Sequence, residues 1–265
     1  MGFLDDEIAR IEAPPRPKEK RSRLPLIALA VLLLGALAIL AFIALSFSED
    51  RSVVVIPLEG EILTGDFNTG EYVGSEYIGR ALRRAADDPL VVAIVLRVNS
   101  PGGSPAGAQE IIEEIEYAKE KKPVVVSMGD LAASAAYQIS AHADRIYANP
   151  DTLTGSIGTV WTFVDMSGWM DEEGYAVDVV KSGDKKDMTS PYRNRTASEL
   201  AYAQKVVDES FEYFISDVVH ERGVDRALIA DGRIVRGEEA VRIGLVDEIG
   251  NLFDAVDGAR ALSNN

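Results

Sequence analysis

Two short stretches of this chain carry residues suited to acyl-transfer chemistry. The first is Asn99-Ser100-Pro101-Gly102-Gly103-Ser104, a glycine pair between a β-branched run and a helix start. A strand that ends in glycines and opens into a helix leaves backbone N–H groups without carbonyl partners, and such groups can stabilise an oxyanion. Pro-Gly-Gly is equally ordinary turn chemistry. The second stretch, residues 129–137 (GDLAASAAY), sets Ser134 between alanines at a helix start, so little bulk screens its Oγ. A serine there also reads as an N-cap or a small packing residue, and Asp130 as a local turn or capping carboxylate.

A serine nucleophile needs a base. His142 lies about two helical turns beyond Ser134, out of reach of Oγ if the helix is continuous. His220 sits on a long helix with no acidic orienter in view. Neither histidine has HExxH or other ligand spacing around it, so both read as solvated or locally hydrogen-bonded rather than metal-bound. Lysine remains. Lys181-Ser182-Gly183-Asp184-Lys185-Lys186 follows a β-branched run, and a lysine there must fall from its usual pKa of about 10.4 to act as a base. The paired Lys185 and Lys186 would depress one another, while Asp184 and Asp187 oppose that. By itself the stretch is most simply a solvated loop.

The elements that must position these residues alternate between two periodicities. Residues 53–58 (VVVIPL) and 91–98 (VVAIVLRV) suit buried strands, and between them Tyr77, Ile78, Ala81, Leu82 and Ala85 recur at helical spacing. Ser104-Pro105 is an N-cap followed by proline, and it opens a helix to Lys122 with Ala108, Ile111, Ile112 and Ile115 on one face. Pro123 ends it, and 124–126 (VVV) begins a strand. A small-residue helix at 133–141, strands at 145–148 and 176–180 (AVDVV), and a long helix from the capping box Thr196-x-x-Glu199 toward Glu221 complete the pattern. Strands and helices at this pitch predict an α/β fold, a parallel sheet with right-handed crossovers.

Before all of this, residues 24–47 (LPLIALAVLLLGALAILAFIALSF) contain no charge, and Arg16, Lys18, Lys20, Arg21 and Arg23 precede them. About 20 apolar residues span a bilayer, and flanking basic residues tend to stay in the cytoplasm. The expected order is a disordered cytoplasmic head (1–23), a transmembrane anchor (24–48) and one extracytoplasmic domain (49–265) in the cell membrane. A cleavable signal peptide has a shorter apolar region and a small-x-small site, and residues 41–44 (AFIA) make a poor one. The formal net charge of -16 argues against nucleic acid as a partner. With no cysteine there is no disulfide and no thiolate nucleophile. Neither a metal nor a cofactor is expected.

Taken in order, several segments resemble the signal peptide peptidase family of the SppA or protease IV type, membrane-bound serine-lysine peptidases with a Clp protease/crotonase-like fold of repeated β-β-α units. The resemblance spans residues 53–262. It rests on Val98-Asn99-Ser100-Pro101-Gly102-Gly103, Ser127-Met128-Gly129, Ala132-Ala133-Ser134, Ala143-Asp144-Arg145-Ile146-Tyr147-Ala148 and Thr152-Leu153-Thr154-Gly155-Ser156-Ile157-Gly158. It continues through Lys181-Ser182-Gly183 with Lys186-Asp187, Ala230-Asp231-Gly232-Arg233 and Gly244-Leu245-Val246-Asp247-Glu248.

Residue by residue, the resemblance implies Ser134 as nucleophile and Lys186 as general base, with Lys185 only its neighbour. It implies an oxyanion hole from the N–H groups of Gly103 and Ala135, and a lysine-orienting hydrogen bond from Ser156. Substrates would be remnant signal peptides or other apolar segments near the membrane. Short members of the family assemble as homo-oligomeric rings, with serine and lysine meeting across subunits. Ala135 and Ala136 stand where the family usually has glycines, which adds methyl groups beside the substrate path. Three other readings share the fold: a stomatin-operon-type membrane protease, a crotonase-like acyl-CoA enzyme that would need neither Ser134 nor Lys186, and an inactive membrane scaffold.

Overall fold

The computed structural model describes residues 24–48 and 52–264, with side chains of the first segment described over 28–41. The expected head, residues 1–23 with its basic cluster, lies outside the described residues. The chain divides into two compact units, 1–50 and 51–265. In the first, α1 (Leu24–Ser48) is a continuous helix, and every described side chain on it is exposed. Among the described residues no helix is long and apolar enough to cross a membrane.

The second unit begins with β1 (Ser52–Glu59), β2 (Glu61–Leu63), β3 (Tyr72–Gly74) and α2 (Ser75–Asp87). The helical spacing seen in the sequence buries Ile78, Leu82 and Ala85 against the sheet, and full burial of each large aliphatic side chain stabilises by about 1.5–3 kcal/mol. Next come β4 (Val91–Ser100) and α3 (Pro105–Lys119), where the Ser104 hydroxyl accepts from Gly107 N–H at 3.1 Å. This helix stops at Lys119 rather than Lys122, because the N–H groups of Lys121 and Lys122 both turn back to the Ala118 carbonyl.

After α3 the chain forms β5 (Val124–Ala133), α4 (Ala135–Ala141), β6 (Arg145–Ala148), β7 (Leu153–Gly155) and a short α5 (Ser167–Glu172). The long α6 (Ala197–Arg222) opens on the expected Thr196–Glu199 capping box. A short β8 (Ile234–Arg236), α7 (Gly237–Ile243), β9 (Glu248–Ile249) and α8 (Leu252–Leu262) close the chain.

The main sheet runs β1-β4-β5-β6-β9, all parallel, with β7 parallel to β5 and β8 antiparallel on β7. A parallel sheet needs both faces covered. One face packs residues such as Leu96, Val98, Val126 and Met128 with the core of α2, α3, α4 and α6; the other packs Ala93, Val95 and Val125 with Ala255 and Ala259 of α8. The expected parallel α/β fold is present, apart from the antiparallel β8.

Two elements depart from the sequence reading. Residues 176–180 form no strand: Val177 and Val179 are half exposed, Val180 fully, and among the described residues no partner strand runs beside them. Alternating β-branched residues favour a strand only where a neighbouring strand supplies the ladder. Asp130 lies not in a cap or turn but within β5, at a break in register where Val98 pairs Met128 and Ser100 pairs Ala132. The two extra residues split β5, so its first half pairs β6 and its second half pairs β7.

Candidate active site

That split ends in a sharp corner. Ser134 joins β5 to α4 with φ 55° and ψ −127°, a conformation costing a non-glycine residue about 1–3 kcal/mol and kept only where the surroundings enforce it. The enforcement is visible. Ser134 N–H donates to the Gly155 carbonyl at 2.9 Å, and the Thr154 hydroxyl donates to the Ala132 carbonyl at 2.6 Å. Farther along α4, the buried Tyr137 hydroxyl donates to the Leu245 carbonyl at 2.8 Å. A serine on a strained strand-to-helix turn presents its Oγ outward, as nucleophilic serines do.

The glycine loop after β4 lies directly over this corner. Gly102 has φ +100°, and a Cβ there would stand 2.8 Å from Ser134 Cβ and 2.9 Å from Ala135 N. The loop is fixed from below, with Ser100 Oγ accepting Gly102 N–H at 3.1 Å and the Asn99 side chain accepting Leu131 N–H at 3.2 Å. Ser134, Ala135 and Gly103 line one cavity of about 310 Å³. Among the described residues neither the Gly103 nor the Ala135 N–H has a protein acceptor. Two uncommitted amides beside a hydroxyl are the parts an oxyanion site requires.

Ser156 follows the Gly155 carbonyl that holds Ser134. It too has positive φ, 51°, and its N–H donates to the Arg233 carbonyl at 2.9 Å. Lys186 is elsewhere. It sits exposed on the irregular segment after α5, its N–H on the Gly183 carbonyl at 3.1 Å, and it does not line the cavity. Lys185 Nζ lies 3.4 Å from Ser198 Oγ. The structure therefore gathers Ser134, Gly103 and Ala135 around one cavity, with Ser156 next to the residue bracing Ser134. It does not bring Lys186 to them within the chain.

Charge pairs root the lysine segment at the start of α6. Arg193 and Lys181 both donate to Asp187, holding its carboxyl far below the usual range. Arg193 also pairs Glu199, which with the Thr196 N–H lowers that carboxyl to about 2. His220 is exposed and meets its neighbour Glu221, as expected. His142 departs from expectation: it is 7% exposed, with Nδ1 3.0 Å from Glu116 and Nε2 3.2 Å from Asp217. Both partners are remote in sequence. Burial opposes its charge, but the bonds to Asp217 and Glu116 outweigh that and raise its pKa. Glu116, His142 and Glu221 also have metal-ligand chemistry at close range, but two carboxylates already engage both ring nitrogens.

Several cavity residues were not visible in the sequence. Gln138 follows Ser134 by one helical turn, a spacing that could have flagged it. Thr159, Ser210, Tyr213 and Phe214 arrive from the loop after β7 and from α6, and no local pattern links them to Ser134.

A mostly parallel α/β sheet with a strained serine at a strand-to-helix corner and free amides beside it is consistent with the Clp protease/crotonase-like fold. A solved structure of the membrane-bound stomatin-specific protease 1510-N, in a mutant form, shares the fold with TM-score 0.51 and 16% identity over 77% of this chain and 82% of that one. The Peptidase family S49 profile matches residues 116–265, and the chain belongs to that family, the SppA and protease IV group. Protease 4 of Haemophilus influenzae is 35% identical over 82% of this chain and 36% of its own length. A protein of Enterococcus faecium with the provisional name signal peptide peptidase SppA is 37% identical over 68% of this chain and 53% of that one. A provisionally named protease of Methanocaldococcus jannaschii is 39% identical over 67% and 58%. This chain thus spans less than two thirds of the length of each of these relatives.

Proposed function

We propose that this protein is a membrane-anchored serine endopeptidase with a Ser134–Lys186 dyad completed between subunits of a homo-oligomeric ring. The observation that carries the reading is the strained Ser134 corner with two free amides over it, a costly arrangement without use in packing. Lys186 of a neighbouring subunit would take the Ser134 proton as Oγ attacks the scissile carbonyl. The N–H groups of Gly103 and Ala135 would receive the oxyanion, Ser156 would steer the amine, and water would release the acyl group. Two observations favour a lysine supplied by a second copy. Lys186 stands outside the cavity of its own chain, and apolar residues on the stretch between β7 and α6, such as Trp169 and Val177, are exposed, as an unfilled interface would be.

The charge-free residues 24–47, preceded by Arg16, Lys18, Lys20, Arg21 and Arg23, support an anchor with the following domain extracytoplasmic. Signal peptides would be substrates, as the name of the Enterococcus faecium relative suggests, and unfolded apolar segments near the membrane would be handled alike. Complementation tests the dyad. Ser134→Ala and Lys186→Ala are each expected to lose peptide hydrolysis by on the order of a thousandfold or more, and a mixture of the two to regain part of it. Undiminished turnover in either single variant would sink the dyad, and a silent mixture would sink the shared site. Protease shaving of intact cells tests topology, since the domain must be lost from outside.

A further inference from the structure

The stretch between α5 and α6 that carries Lys186 is loosely packed, with Val177, Val179, Val180 and Tyr192 exposed, yet one guanidinium at its end is clamped from two sides. Arg193 donates from Nε to Asp187 Oδ2 and from a terminal nitrogen to Asp187 Oδ1, both at 2.8 Å, and it reaches Glu199 Oε2 and Oε1 at 3.0 and 2.6 Å. Asp187 is the residue after Lys186, and Glu199 lies in the first turn of α6. Their side chains are 13% and 3% exposed in a stretch that is otherwise open to solvent. Lys181 Nζ adds a bond to Asp187 at 2.5 Å, so the carboxylate beside Lys186 is already occupied by two other cations. From Glu199, α6 continues to Tyr213 and Phe214 at the cavity and to Ile215 and Val218 in the core. Ion pairs near a surface contribute only about 0–1 kcal/mol of stability, but forked arginine–carboxylate bonds fix geometry. The backbone next to Lys186 is thereby tied to a helix rooted in the core.

We propose that Arg193 is a positioning residue for the general base: by locking Asp187 to Glu199 it holds the segment at Lys186 in the one orientation that presents the amine to Ser134. This rests on the dyad reading above and names what aims its second member. Arg193 touches neither the cavity nor Lys186 Nζ, so it acts through the backbone at 186–187. A lysine at position 193 would keep the charge and lose the fork.

The test uses the full chain in detergent with one cleavable peptide. Arg193→Ala should lower kcat on the order of a hundredfold, as a misplacement of about 1 Å does, with KM within about twofold of the wild type because the cavity is untouched. Arg193→Lys should fall between the two. The double variant Arg193→Ala/Lys186→Ala should be no slower than Lys186→Ala, since a residue that acts through another adds nothing once that other is gone. Hydrogen exchange over residues 181–192 should rise at least about tenfold in Arg193→Ala while exchange in α4 stays the same. Wild-type kcat in Arg193→Ala, losses that multiply in the double variant, or unchanged exchange over 181–192 would each overturn the proposal. Smaller particles by sedimentation in both Arg193 variants would also overturn it, by making Arg193 an assembly residue. Full turnover in Lys186→Ala would sink the dyad and this proposal with it, whereas full turnover in Arg193→Ala alone would leave the dyad standing.

Discussion

The corner at Ser134 and the segment carrying Lys186 are built on opposite plans. Residues 132–141 are buried apart from Ser134 itself, and each turn is tied to a remote strand or loop. Residues 158–195 contain one helix of six residues and expose Val160 at 83% and Trp169 at 52%. The first region satisfies its apolar residues within the chain. The second, rich in charged residues, leaves much of its apolar surface exposed. A nucleophile must be held to within a fraction of an ångström before substrate arrives, so its scaffold is completed at folding. A base that arrives from a partner can be completed at assembly. On the proposed reading the first region is completed at folding and the second at assembly, and each can be attacked separately.

After the two dyad variants, the largest effect is expected from Gly102→Ala. Its Cβ would stand under 3 Å from Ser134 and the Ala135 amide, at a φ that L-residues rarely adopt. Turnover of a peptide substrate should fall on the order of 10²–10³-fold, the cost of losing an oxyanion donor, and strain should remove about 1–3 kcal/mol of stability. Full activity would mean that the loop takes no part in the site. The other region answers to Trp169→Ser combined with Val177→Asp. Neither side chain is buried in its own chain, so circular dichroism should be unchanged, while sedimentation shows smaller particles and turnover falls about a hundredfold with loss of the oriented base. An intact assembly with those substitutions would move the interface elsewhere.

The same contrast explains what the sequence could and could not reveal. Apolar periodicity located β1, β4, α2 and α3, and the Thr196–Glu199 box located the start of α6, because each signal is local and the structure satisfies it locally. Ser134 and the Gly102-Gly103 loop were legible for the same reason: each sits where a strand meets a helix start. The reading of 176–180 as a strand failed because alternation records that a segment can pair, not that a partner exists. His142 was misjudged because Glu116 and Asp217 reach it from two other helices. Gln138 was within sight at one turn past Ser134, but its fixed amide depends on Asp217, and sequence spacing carries no trace of that contact.

Tyr137→Phe is a milder test of the corner. It removes the hydroxyl that reaches the Leu245 carbonyl and leaves that carbonyl without its partner. Burial pushes this phenol far above its ordinary pKa, so it acts as a neutral donor throughout the working range. The expected cost is about 1–3 kcal/mol, a drop of roughly 2–4 °C per kcal/mol for a domain of this size, with no change in association state. A larger loss of turnover than of stability would show that Tyr137 tunes Ser134 as well as supporting α4.

The smallest effect should come from pH acting on His142. Its folded pKa lies above the ordinary value of 6.5, so the stabilisation it provides is complete below about 6.5 and is lost as pH rises through the raised value. Asp217 runs the other way. Burial alone would raise its pKa, but the bonds from His142 and Gln138 lower it below 3.8, so its share is present above 3.8 and is lost as pH falls through the lowered value. Their link is therefore strongest between those limits. The groups facing His142 are Glu116 of α3, with Lys119 at 3.3 Å from it, and Asp217 and Glu221 of α6, His220 acting on Asp217; α4 contributes the neutral Gln138. Melting temperatures of the wild type should decline between about pH 6.5 and 9 more steeply than those of His142→Gln, whose amide cannot titrate. Parallel slopes would remove His142 from the account. Because Gln138 hangs from Asp217 and the lysine segment does not, any pH-dependent change of turnover over that interval should occur at constant particle size, and a coincident change in assembly would erase the separation between the two regions.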